Sequence, residues 1–251
     1  MHNSHTPANT VFAGVLAGLL FCLASCQAIP AAPQTALSPC IAPNSTTHTL
    51  LALGDSYTIG QGVHSAERWY EQLITRLRAE GWNFDTPIVL AHTGWTTHDL
   101  AVEMANSILP NRFDLVTLSI GVNNQYRGES ATDYRTDFAQ LLERAIALTG
   151  GIPDRVLVLS IPDWSVTPFA QQAQSRGVQP QQVASEIDAF NAVNRALATD
   201  AGTTYIDITP ISRQRTDPQR YFVSDGLHPN GALYSEWTDL ALPAACAALQ
   251  P

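Results

Sequence analysis

No lysine occurs among the 251 residues; all 13 basic side chains are arginine, set against 22 acidic ones for a formal net charge of −9. Without lysine there is no G-x-x-x-x-G-K-[ST] phosphate loop, so the glycines at Gly54 and Gly60 serve some other purpose. No cluster of basic residues relieves the acidic balance, which excludes a nucleic-acid binder whose ligand demands paired positive charge. No serine sits in a G-x-S-x-G context, the signature of the α/β-hydrolase nucleophile turn. His92, His98 and Asp99 fit no zinc-ligand spacing and are read as solvated loop residues, so no metal site is expected. Internal repeats and charge blocks are also missing.

Val11 to Ser25 is apolar throughout but only 15 residues long, short for a membrane span and suited to the core of a secretory signal. Its end, Leu23-Ala24-Ser25-Cys26, resembles the lipobox of bacterial lipoproteins, in which the cysteine is lipidated and the leader is cut just before it. Against this, Met1 to Thr10 carries no Lys or Arg, and a soluble secreted protein cut elsewhere stays open. Gln27 follows the proposed lipid site; it is not the aspartate associated with inner-membrane retention, so an outer-membrane location is favoured where that membrane exists. The expectation is a signal over residues 1–25, a Pro/Ala-rich tether over 26–47 and one domain over 48–251, anchored to the cell envelope through Cys26. About 200 residues suffice for one sizeable core. Of four cysteines, Cys22 leaves with the signal and Cys26 takes lipid; Cys40 and Cys246 remain as a disulfide pair suited to an oxidising compartment.

From His48 onward apolar runs alternate with helical patterns. Strands are expected at Thr49–Leu53, Pro87–Ala91, Leu115–Ile120, Arg155–Ile161 and Thr204–Ile208, mostly without polar alternation, as in strands buried on both faces. Helices are expected over Trp69–Glu80, Tyr134–Leu148, Val183–Ala201 and from Pro229 to about Cys246, with Pro229 as a first helical residue. The alternation implies an α/β fold with a parallel sheet covered on both faces. Ligands of such sheets bind beyond the carboxyl ends of the strands.

Chemistry-bearing residues fall at those ends. Ser56, in Leu51-Ala-Leu-Gly-Asp-Ser56, follows the first strand; alone it is also an ordinary turn and helix cap. A serine hydroxyl needs a base. Only His228 of the seven histidines has an evident orienting partner, Asp225, three residues earlier in Ser224-Asp-Gly-Leu-His-Pro-Asn230. A carboxylate on Nδ1 leaves Nε2 to act on Ser56, the division of labour of a Ser-His-Asp triad. The N–H groups of Ser56 and Gly94 and the side-chain amide of Asn123 are candidate donors to an oxyanion. Asp55, next to the serine, is read as structural.

Taken together and in this order, Ser56, Gly94, Asn123 and His228, with Asp225, resemble the motif residues of the SGNH hydrolase superfamily, also called the GDSL family, from about Leu51 to Tyr234. The resemblance implies a three-layer α/β/α, flavodoxin-like fold with a five-stranded parallel sheet, no metal or cofactor, and a serine esterase acting through an acyl-enzyme. Its third block usually reads Gly-x-Asn-Asp; here Asn124 holds the last place. The implied substrate is a short acyl ester, a lysophospholipid or an O-acetylated sugar, with an O-acetyltransferase and a silent surface binding module as rivals. Monomeric action is expected. Trp95, Tyr126 and Trp164 are candidate substrate contacts near strand ends, and the Gln-rich excursion Ser165–Gln182 is a candidate pocket wall. No large apolar insertion resembles a lid.

Overall fold

A computed structural model describes Cys40, Ala42 and residues 46–250. The signal, Cys26 and most of the proposed tether lie outside the described residues. The strands are β1 (Thr47–His48), β2 (Leu50–Gly54), β3 (Asn83–Phe84), β4 (Ile88–Ala91), β5 (Leu115–Ser119), β6 (Val156–Leu159) and β7 (Thr204–Ile206). The helices are α1 (Ser56–Ile59), α2 (Trp69–Ala79), α3 (Thr97–Asn106), α4 (Val122–Tyr126), α5 (Ala131–Ala147), α6 (Pro168–Ala173), α7 (Pro180–Asp200), α8 (Thr209–Gln214), α9 (Pro218–Tyr221) and α10 (Gly231–Leu249).

Five parallel strands form the central sheet in the order β4-β2-β5-β6-β7. Every residue of β2, β5 and β6 is buried, which is why these segments read as unbroken apolar runs. β4 lies at an edge and is only half-buried. Helices α2 and α10 pack together, while α3, α5 and α7 form a second packed group. In α2, Trp69, Tyr70, Leu73, Ile74 and Leu77 make the buried stripe, the spacing of one face of a helix. The first strand in the sheet, β2, has the second, β4, on one side and the third, β5, on the other. The order therefore reverses at β2, and a crevice opens beyond the carboxyl ends there. Ser56 follows β2, Gly94 follows β4, and Asn123 follows β5.

Several elements depart from the sequence-based expectation. Helix α3 was not foreseen: its apolar face is short, and it is set by a capping box in which Thr96 Oγ1 accepts from Asp99 N while Asp99 accepts from Thr96 N. The last helix does not begin at Pro229. That residue pairs with Phe222 in an isolated bridge, and Asn230 caps the helix by accepting from the N–H groups of Ala232 and Leu233. Ordered packing also begins before residue 48. Cys40 is bonded to Cys246 in α10, Ala42 N–H donates to Glu80 O at 3.3 Å, and β1 pairs with β3 in a small parallel sheet. No helix among the described residues is long and apolar enough to cross a membrane.

Candidate active site

β2 ends on Gly54, and the chain turns at once into α1. A Cβ at Gly54 would lie 2.1 Å from Thr58 Oγ1 and 2.5 Å from Ser119 O, so only glycine lets strand, helix and neighbouring strand close this tightly. Asp55 caps α1 by accepting from Tyr57 N at 3.0 Å. Asp55 is 2 % exposed, and desolvation drives its carboxyl pKa up to about 7 despite the opposing N–H of Tyr57. Ser56, as the first helical residue, has an N–H with no acceptor inside α1.

The loop before α10 carries the partner groups. Asp225 Oδ1 accepts from the N–H groups of Leu227 (2.8 Å) and His228 (3.0 Å), and Oδ2 accepts from His228 Nδ1 at 2.6 Å. Partial burial works to raise the Asp225 carboxyl. The hydrogen bonds from the His228 N–H, its imidazole and the Leu227 N–H outweigh it and hold the group below its ordinary value. With Nδ1–H committed to a carboxylate, Nε2 is the acceptor in the neutral ring. It lies 2.9 Å from Ser56 Oγ. The loop is held by Val223 N–H to His228 O at 3.0 Å and by Phe169 N–H to Gly226 O at 3.0 Å. The Tyr57 ring stands 5.2 Å from the imidazole.

The two remaining motif stretches are tied to each other. Gly94 has φ +83°, a left-handed turn that disfavours any side chain. Its carbonyl accepts from Arg127 Nη2 at 2.7 Å. Asn123 Nδ2 donates to Trp95 O at 2.9 Å. An amide NH2 has two hydrogens, so this bond fixes its plane and leaves the second free for another acceptor. Asn124, buried, accepts from Thr97 N (3.1 Å) and donates to Thr97 Oγ1 and Glu129 Oε2 (both 2.8 Å). An aspartate there could accept from Thr97 but would face Glu129 as a second carboxylate, so the departure from Gly-x-Asn-Asp is matched to this chain's own Glu129.

Ser56, Gly94, Asn123 and His228 open onto one cavity of about 230 Å³, with Tyr57 and Thr93 beside them. Its apolar wall is Val122, Tyr126, Trp164, Phe169 and Leu227. Tyr126 and Trp164, foreseen as contacts, line it; Trp95 does not, and its ring lies 5.6 Å from that of His92. Phe169 comes from α6, inside the Gln-rich excursion. Nothing local in the sequence marks which residue of that segment turns inward. His92 Nδ1 is 2.9 Å from Thr93 O, and Asp99 caps α3. Among the described residues no group of three or more His, Cys, Asp or Glu is placed to hold a metal ion.

A doubly wound sheet with a serine, an imidazole and a carboxylate in hydrogen-bonded series at its switch point defines an α/β/α hydrolase class. The profile of the GDSL-like lipase/acylhydrolase family matches residues 52–235, and the chain belongs to that family, a carboxylic ester hydrolase. No curated protein sequence matches it. Among solved structures it is similar to a lipase/acylhydrolase from Enterococcus faecalis, with TM-score 0.63 and 17% identity over 81% of this chain and 98% of that one. It is also similar to TesA, with TM-score 0.62 and 22% identity over 80% and 99% of the two chains. A variant of an acetyl xylan esterase from Geobacillus stearothermophilus aligns with TM-score 0.58 and 17% identity over 79% and 94%. At these identities the likeness is one of fold.

Proposed function

We propose that the protein hydrolyses short-chain carboxylic esters through an acyl-enzyme on Ser56. The observation that carries the reading is the unbroken series Asp225–His228–Ser56, at 2.6 and 2.9 Å, ending in a cavity. Ser56 Oγ attacks the carbonyl carbon while His228 Nε2 takes its proton. Asp225 holds Nδ1–H and stabilises the imidazolium. The carbonyl oxygen, now negative, accepts from Ser56 N–H, Gly94 N–H and the second hydrogen of Asn123 Nδ2. His228 returns the proton to the leaving alcohol as the C–O bond breaks. Water then enters, loses a proton to His228, attacks the acyl carbon and releases the acid, and Oγ regains its proton.

The cavity supports a small substrate. At about 230 Å³ it falls below the roughly 300–1,000 Å³ of typical ligand sites. An acetyl or similarly short acyl group, on a simple alcohol or on a sugar hydroxyl, matches that size better than the long chain of a lysophospholipid. The apolar stretch Val11–Ser25 and the Cys40–Cys246 bond favour an exported protein in an oxidising compartment, with Cys26 as its lipid anchor. The test is hydrolysis of p-nitrophenyl acetate by the wild type beside Ser56→Ala. The expected result is loss of at least about 1,000-fold in kcat. Equal rates would reject the proposal.

A further inference from the structure

We propose that Gln125 determines specificity at this site through Trp164, by fixing the indole as a rigid apolar wall; the inference rests on the ester-hydrolase reading above. Gln125 lies two residues beyond Asn123 in α4 and is 5 % exposed. Its Oε1 accepts from Trp164 Nε1 at 2.8 Å, and its Nε2 donates to Glu186 Oε2 on α7 at 2.7 Å. The indole N–H can only donate and the carboxylate can only accept, so one orientation of the amide satisfies both. Glu186 is itself held, its Oε1 accepting from Gln182 Nε2 at 2.8 Å.

Gln125 does not line the cavity, whereas Trp164 does. The indole N–H is therefore turned away from the substrate space and consumed there, and the ring shows that space only carbon. Tyr126 meets the indole edge-on at 5.5 Å, and Phe169 lies 6.1 Å away. Such a wall accepts a short apolar group and offers no hydrogen bond to a polar one. Longer groups are refused because the ring cannot swing aside without burying an unpaired N–H, a costly state. Gln125 is a positioning residue: it touches Trp164 and Glu186, and its effect on substrate passes through the ring.

The experiment compares wild type, Gln125→Met, Trp164→Phe and the double variant. Each is given p-nitrophenyl esters from acetate to octanoate and alkyl acetates of rising length, with folding followed by thermal denaturation. Gln125→Met is expected to keep kcat on the acetate within about twofold and to raise the kcat/KM ratio of long to short ester about 10-fold in one series. Trp164→Phe, which has no N–H to satisfy, should shift the ratio the same way. Adding Gln125→Met to it should then do nothing more. A ratio within about twofold of wild type for Gln125→Met in both series overturns the proposal. So does a full additional shift in the Trp164→Phe background, which would mean that Gln125 acts through α7 alone. If Gln125→Met does not fold, Trp164→Phe decides: an unchanged ratio overturns the inference. Ser56→Ala in the same assays reports separately on ester hydrolysis. Its failure to abolish turnover removes the underlying reading, whereas unchanged ratios with Ser56-dependent turnover remove only this inference.

Discussion

Replacing Asp55 by asparagine should abolish a pH-dependent loss of stability while leaving the turn before Ser56 intact. Asparagine caps a helix as well as aspartate does, so its Oδ1 can still accept from Tyr57 N. The wild-type carboxyl titrates near 7 in the folded chain, against 3.8 when exposed. The folded state thus holds the proton more tightly than the unfolded one. The Asp55 contribution to stability is full below about pH 4 and is lost as pH rises toward 7. About three units at 1.36 kcal/mol each make roughly 4 kcal/mol. Asp225, held below its ordinary value, acts with the opposite sign, losing stability as pH falls, but it is common to both proteins and cancels. Any constant cost of the new amide N–H groups cancels as well when two pH values are compared. Chemical denaturation of both proteins at pH 4 and pH 8 is the assay. The stability difference, variant minus wild type, should be about 4 kcal/mol larger at pH 8. In a domain of this size that corresponds to a relative shift in Tm of about 8–16 °C. Parallel stability curves across that range would refute the buried, proton-retaining carboxyl.

Other perturbations test the rest of the site. Arg127→Ala removes the guanidinium from the Gly94 carbonyl and should lower kcat about 10-fold with little change in KM, with Arg127→Lys recovering part of it; a rise in KM alone would count against a role in holding that turn. Asn124→Asp places a carboxylate against Glu129 and should cost about 1–3 kcal/mol in urea denaturation at pH 8, with Glu129→Gln restoring most of it. Gly54→Ala should destabilise by at least about 1–3 kcal/mol and reduce esterase activity, since the new methyl meets the Ser119 backbone as well as the Thr58 side chain. Replacing Cys40 and Cys246 together by serine should cost about 2–4 kcal/mol by thermal denaturation under non-reducing conditions.

Much of this was legible along the chain because the signals were local. β2, β5 and β6 are buried on both faces and announce themselves as apolar runs, and α2 shows its face through Trp69, Leu73 and Leu77. Asp225 and His228 are three residues apart, so their pairing is a matter of one loop. What was not legible depends on distance or on short signals. β1 and β3 have two residues each and owe their existence to one another. Helix α3 has a weak stripe, and its one clear mark is the Thr96-x-x-Asp99 cap. Pro229 suits a helix start, but Asn230 supplies the two bonds that decide where α10 begins. Gln125 reads as an ordinary polar residue; only the fold brings Trp164, 39 positions later, and Glu186, 61 positions later, to its two ends.

The Cys40–Cys246 bond also decides where a mechanical load would travel. A pull on the chain ahead of Cys40 passes through the sulfurs into α10, a 19-residue helix packed against α2. That route bypasses β1, which pairs with β3 just ahead of β2. Force therefore reaches the body of the domain without drawing on the strand that ends beside Ser56. Reduction of the bond would reroute the same pull along the backbone into β1 and then β2, the direct line to the nucleophile.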